Sequence, residues 1–264
     1  MIAITPGLRR SLSIQLRVIR ALLMREIITR YGRHNIGFLW LFVEPMMFTL
    51  GVTALWTFAK ASHGSSLPIA AFALTGYSSV LLWRNMPGRC CGALEPNRSL
   101  MFHRNVKIID IFAARLLLEI AGATASFAIL SVLFLMLEMI SPPEDILLVM
   151  LGWTMLAWFG AALAVLVGAL SIRSELVDKI WHPLAYLIFP LSGAAFMVDW
   201  LPVAGQQVVL ALPMVHGVEI LREGYFGSAV HARYDLPYML VCNMLLTLAG
   251  LAQLRQLARA ELPT

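Results

Sequence analysis

The chain has 264 residues, of which 59% are hydrophobic and 13% charged, too apolar a composition for a water-soluble globule. Its net charge of +5 is not a nucleic-acid signature, because seventeen of the twenty lysines and arginines lie in alternate gaps between long apolar runs. Three cysteines, Cys90 and Cys91 adjacent and Cys242 inside a run, predict free thiols rather than a disulfide framework.

Six apolar runs fill the chain, at about 36–59, 68–83, 120–140, 146–171, 180–196 and 236–254. About 20 apolar residues cross a hydrocarbon core of ~30 Å. The predicted fold is therefore an all-α polytopic membrane protein with six transmembrane helices. Only Lys60, Arg222 and Arg233 fall in the other set of gaps, which instead carry acids such as Glu138, Asp145 and Asp199. The positive-inside rule then places both termini in the cytoplasm. No cleavable signal peptide is expected, because the N-terminus is basic for too long before any apolar core.

Residues 1–35 form the first unit. Leu12, Leu16, Ile19, Leu23 and Ile27 recur at helical spacing, with Arg10, Arg17 and Arg20 on another side. This predicts a cationic amphipathic helix resting in the headgroup region, either as a lipid anchor or as a dock for a partner. The transmembrane unit, 36–254, opens with Trp40 and Glu44, the latter followed by Pro45. Glu44 lies ~12 Å into the span at 1.5 Å per residue. Such a residue faces protein or a wet cavity, so it is read either as a pathway or subunit-contact residue or as a buried hydrogen-bonding group. Pro45 frees the Leu41 carbonyl and is expected to kink the helix. The second span carries Tyr77 and Trp83.

The long loop 84–107 is read as the cytoplasmic coupling region, with a short helix at 89–94 followed by Glu95, Pro96, Asn97 and Arg98. After it come Asp110, Arg115 and Glu119. The last two are i,i+4 and predict a structural ion pair on one helix face, on a third helix that begins inside the cytoplasm. The fifth run holds Trp181, Tyr186 and Phe189, and is interrupted by Pro183 and Pro190. Interrupted segments are where transport sites form, so its aromatics, with Trp40 and Glu44, are expected to border a conduit; belt residues at the membrane surface are the alternative. Within the outer region 197–235, residues 203–221 are broken by Pro213 and carry Gln206, Gln207 and His216. Too polar to face lipid, they predict a periplasmic re-entrant hairpin covered by protein. Residues 255–264 form a cytoplasmic tail.

No phosphate-binding loop is present: none of the three lysines follows a glycine or precedes Ser or Thr. There is no zinc-helix motif, no nucleophile elbow, and no metal-ligand spacing among the six histidines. The chain is thus expected to be no enzyme and to bind no metal or cofactor of its own.

A resemblance is carried by Arg30, Tyr31, Gly32, Arg33, Gly37, Phe38, Leu39, Trp40, Glu44 and Pro45, then by Glu95, Asn97, Arg98, Ser99 and Leu100. It continues through Asn105, Lys107, Asp110, Arg115 and Glu119, through Pro190, Ser192, Gly193 and Phe196, and through Pro213, His216, Glu219, Arg222, Gly224 and Gly227. In order and spacing the chain resembles the permease subunits of type-2 ABC exporters, specifically those that export capsular polysaccharide across the inner membrane. The resemblance implies a homodimer bound to two ATPase subunits that carry ATP and Mg, with a channel between protomers for a lipid-linked polysaccharide. It implies partners among periplasmic and outer-membrane polysaccharide export proteins and membrane lipids, and none among nucleic acids. The channel would be lined by Trp40, Glu44, Tyr77, Trp83, Trp181, Tyr186 and Phe189. The ATPase would be met by Arg89, Glu95, Asn97 and Arg98. Asp110, Arg115 and Glu119 form the structural charge network, and Pro213, His216, Glu219 and Arg222 the re-entrant region. Pro96 and Ile108 depart from the family pattern, the former shortening the coupling helix. Same-fold exporters of O-antigen, teichoic acid or small molecules are the alternative, ahead of a membrane enzyme or a secondary transporter.

Overall fold

A computed structural model describes residues 7–32, 35–58, 67–102 and 106–260. Among them every regular element is a helix and there is no strand. Arg33, Lys60, Asn105 and residues 261–264 of the tail lie outside the described residues. Among the described residues nine α-helices follow in order: α1 Leu8–Tyr31, α2 Asn35–Phe58, α3 Ile69–Cys90, α4 Ile108–Met136, α5 Ile146–Arg173, α6 Glu175–Ile188, α7 Val203–Leu210, α8 Pro213–Phe226 and α9 Leu236–Ala260. Four of the described helices, α2, α4, α5 and α9, are long and apolar enough to cross a membrane.

The packing follows from where small residues fall. Half of the most apolar window of α5 is buried, against 17% for α2 and α9, so α5 is the central post and the other two face outward. It packs against α3, α8 and α9. A Cβ at Gly160 would stand 2.8 Å from the Trp83 Cα, and one at Gly152 would stand 2.7 Å from the Leu221 backbone nitrogen. Glycine at these two positions lets α3 and α8 approach α5 at backbone distance, the usual device where lipid provides no hydrophobic force between helices. Asp145 caps α5 by accepting from the Leu147 and Leu148 amides at 2.8 and 3.1 Å.

Several boundaries differ from the sequence reading. The second apolar run ends at Trp83, but α3 continues to Cys90, because Arg84, Asn85 and Arg89 line a cavity inside the bundle, where a helix needs no unbroken apolar run. The short helix expected at 89–94 is displaced: those residues finish α3 and turn, and a 3-10 helix spans Glu95–Phe102. Pro96 sits in its first turn, where a missing amide hydrogen costs nothing. α4 begins well before its apolar run, as expected, and stops at Met136, where Glu138 takes a left-handed φ of 54°. The fifth element starts earlier, at Glu175, and is a 14-residue helix followed by a 3-10 turn Phe189–Leu191 and a reversal at Gly193 (φ 83°). α2 runs unbroken through Pro45. The Ser126 hydroxyl of α4 donates to the Phe42 carbonyl at 2.8 Å, and Gly122 brings α4 against Leu41. α7 and α8 meet at a bend of 107°, the geometry of a broken span or a re-entrant loop.

Candidate functional site

Among the described residues, six charged side chains from four helices close into one network at the α1 end of the bundle. Glu119 of α4 accepts from Arg30 of α1 at 2.5 Å and from Arg89 of α3 at 3.1 Å. Arg89 also reaches Glu44 of α2 at 3.9 Å. Arg115 pairs with Glu26 of α1 at 3.2 Å and donates to the Arg89 carbonyl at 2.6 Å, and Glu26 lies 3.6 Å from Arg30. The expected Arg115–Glu119 pair is therefore not formed. α1 lies along α4 and offers each of the two a partner of opposite sign. Arg89, expected at the ATPase contact, belongs to this network. Asp110 is buried, accepts from the Gln15 side chain and caps its own helix through the Lys107 amide at 2.9 Å.

Beside the network opens a cavity of about 430 Å³, lined by residues of α2, α3 and α6. Its walls include Glu44, Trp181 and Tyr186, three of the residues expected on a conduit, together with Arg84, Arg89 and His182. The Glu44 side chain is 52% exposed, so it faces this space instead of a buried hydrogen bond. Trp181 is largely buried but presents an edge to the cavity beside Gly88. Arg84 lies over the Tyr186 and Phe189 rings, at 5.2 and 5.4 Å from their centroids.

Phe189 continues an aromatic series. It stands 5.8 Å from Tyr77 and 6.3 Å from Phe48; Tyr77 meets Trp56 at 5.4 Å; Trp56 stacks on Phe72, and Phe72 on Trp200. Beyond Phe189, three of the expected channel residues do not line the cavity. Tyr77 is buried against Phe48 and Phe189. Trp83 is fully buried against Phe159 and Gly160 of α5, because its position on α3 points it into the core. Trp40 is exposed on α2 and does not line the cavity.

The segment Glu95–Phe102 hangs on α1. Arg25 donates to the Asn97 side chain and to the Pro96 carbonyl at 2.9 Å, and buried Asn97 donates to the Ala93 carbonyl at 2.8 Å. Glu95 and Arg98 project outward, 77% and 74% exposed. Of the four residues expected to meet a partner, these two are free to do so; Asn97 anchors the segment. Just before it, burial pushes the Cys91 thiol up to about 11, and all three cysteines are free.

The polar residues of α8 stitch the turns around it together. Arg222 is completely buried; its guanidinium donates to the carbonyls of Gly193, Ala194 and Phe196 at 2.7, 2.7 and 2.5 Å and lies 3.9 Å above the Phe72 ring. Glu219 accepts from the amides of Val198 and Arg233 at 3.2 and 3.0 Å. The Asp235 amide donates to His216 Nδ1 at 2.8 Å. That fixes the tautomer, so Nε2–H donates to the Leu210 carbonyl at 2.8 Å. Pro213 starts α8 at its first turn. These four residues hold the bend between α7, α8 and α9.

Sequence reasoning missed Gln15, Arg25, Glu26 and Arg84. The first three lie on α1, where charge was read as a membrane-facing property. Arg84 was counted only as one more inner cation. The signal for Glu26 was available: it is the lone acid among seven arginines in residues 1–35.

No family model matches the chain. Over 254 residues, 96% of either chain, it is 44% identical to the capsule polysaccharide export inner-membrane protein CtrC of Neisseria meningitidis serogroup B. It is 40% identical over 255 residues, 97% of this chain and 96% of the relative, to the capsule polysaccharide export inner-membrane protein BexB of Haemophilus influenzae. The polysialic acid transport protein KpsM of Escherichia coli is 25% identical over 254 residues, 96% of this chain and 98% of its own.

Proposed function

The chain belongs to the family of capsule polysaccharide export inner-membrane proteins, and from that membership we propose that it is the permease of an ATP-driven ABC exporter moving a lipid-linked capsular polysaccharide from cytoplasm to periplasm. It is an inner-membrane protein and the transport subunit of a polysaccharide exporter. The observation that carries the reading is the 44% identity maintained over 96% of both chains. In the proposed arrangement α3 and α6 join the four long helices as the second and fifth of six spans, α7 and α8 re-enter from the periplasm, and both termini are cytoplasmic.

Two copies face each other, each bound to an ATPase subunit that supplies ATP and Mg. The exposed Glu95 and Arg98 meet that subunit, on a segment tied to α1 through Arg25. The polysaccharide runs past the cavity of Glu44, Trp181 and Tyr186, then along Phe189. Aromatic faces stack on sugar C–H surfaces while their edges stay wet. Deleting the gene should trap polysaccharide in the cytoplasm. The intact chain should restore surface capsule, and Glu95→Lys with Arg98→Glu should not, although the protein still inserts. Normal capsule from that double variant would refute the coupling assignment, and normal capsule without the gene would refute the function.

A further inference from the structure

The cavity contains a cation without a counter-charge. Among the described residues Arg84 makes no ion pair and no hydrogen bond; its contacts are the faces of Tyr186 and Phe189 at 5.2 and 5.4 Å. The other wall charges account for one another, since Glu44 lies 3.9 Å from Arg89. Arg84 immediately follows the apolar run 68–83 and shares the cavity wall with Glu44, so its charge sits inside the bundle. A guanidinium held over aromatic rings keeps its N–H donors unspent, and their forked arrangement suits a pair of phosphate oxygens. An unpaired charge beside apolar walls is costly until an anion arrives. Those walls, Phe48, Leu81 and Ala185 among them, suit an anion that carries an apolar tail.

We infer that Arg84 is an anion-recognition residue that takes the phosphate ester of an amphiphile entering the cavity between α2, α3 and α6. The inference rests on the export reading and deepens it, because the phosphate is the group by which a lipid-anchored cargo would be held. Two sources share that chemistry: the phosphate joining cargo to its lipid, and the headgroup of a bulk anionic phospholipid. Glu44, on the opposite wall, repels the same group, so its removal should act in the opposite direction.

The test titrates the full-length protein, in dodecyl maltoside micelles, with dodecyl phosphate and counts adducts by native mass spectrometry. Wild type should bind it, and dodecanol should not compete. Arg84→Gln should weaken binding on the order of tenfold or more, as loss of a charge-assisted pair implies, Arg84→Lys should weaken it less, and Glu44→Gln should strengthen it. Equal binding by wild type and Arg84→Gln, or full competition by dodecanol, overturns the inference. Should Arg84→Gln fail to fold, unchanged or weaker binding by Glu44→Gln overturns it equally. Displacement of the probe by phosphatidylglycerol assigns the site to membrane lipid; resistance to it assigns the site to cargo, and either supports the anion site. The titration uses neither ATP nor polysaccharide, so its failure leaves the export reading standing, and failure of the export experiment leaves the titration interpretable.

Discussion

Replacing Glu119 by glutamine keeps its size and removes one charge from the network of six. The carboxylate accepts from Arg30 at 2.5 Å and from Arg89 at 3.1 Å, and is only 11% exposed. Each charge-assisted hydrogen bond contributes about 1.5–3 kcal/mol net. Both are weakened, yet Arg30 keeps Glu26 at 3.6 Å and Arg89 keeps Glu44 at 3.9 Å. The loss should therefore stop at about 2–4 kcal/mol, below the 3–5 kcal/mol of a fully stranded buried charge. For a chain of this size ~1 kcal/mol moves the melting temperature by roughly 2–4 °C, so thermal unfolding in detergent, followed by tryptophan fluorescence, should fall by about 5–15 °C. A double-mutant cycle sharpens the reasoning. Arg30→Gln and Glu119→Gln should be coupled by at least ~1 kcal/mol, and Arg115→Gln with Glu119→Gln should be coupled less. A shift under ~2 °C, or stronger coupling to Arg115, would refute the cross-helix assignment and restore the i,i+4 pair.

Arg222→Lys should destabilise the turn at residues 193–196, since an ammonium cannot hold three carbonyls in the guanidinium's fixed fork; limited proteolysis within 190–200 is the readout, and unchanged resistance would dispose of the stitching role. Gly160→Leu should cost about 1–3 kcal/mol through overpacking against Trp83, visible as a lower melting temperature, whereas an unchanged value would mean α3 and α5 are not in backbone contact. Because the Cys91 thiol is raised to about 11, only about one in a thousand is thiolate at pH 8. Maleimide labelling there should be slow and should climb as pH approaches 11; rapid labelling at pH 7 would contradict its burial.

Much of the fold was legible because a helix solvated by lipid must be apolar along its whole length: α2, α4, α5 and α9 read directly as runs. α3 and α6 were harder, for their polar residues face a cavity and the ion network, and an apolar-run criterion stops at Trp83 or starts at Ile180 while the backbone carries on. The coupling segment was misplaced by a few residues because proline was weighed as a breaker, although a first-turn proline begins a helix. Glu44, Trp181 and Tyr186 were legible as a group, since depth and proline interruption are local properties. The partners of Arg115 and Glu119 were not, because Arg30 lies 89 residues from Glu119 and nothing in local spacing announces it. Trp83 shows the limit of reading aromatics by position near a span end: which way the ring points depends on a glycine in another helix.

The order in which the six network charges are synthesised has a consequence for insertion. α1 brings Glu26 and Arg30, the α2–α3 hairpin brings Glu44 and Arg89, and α4 brings Arg115 and Glu119. Each instalment sums to zero. A nascent chain leaving the ribosome can thus pair the network members of each instalment before the next arrives; Glu26–Arg30 and Glu44–Arg89 are kept, and only Arg115 and Glu119 take partners on other helices when α4 docks. Neutrality at every intermediate stage keeps the insertion penalty of Glu44 and Arg89 low, and it makes α4 the helix whose arrival converts three local pairs into one cross-braced assembly.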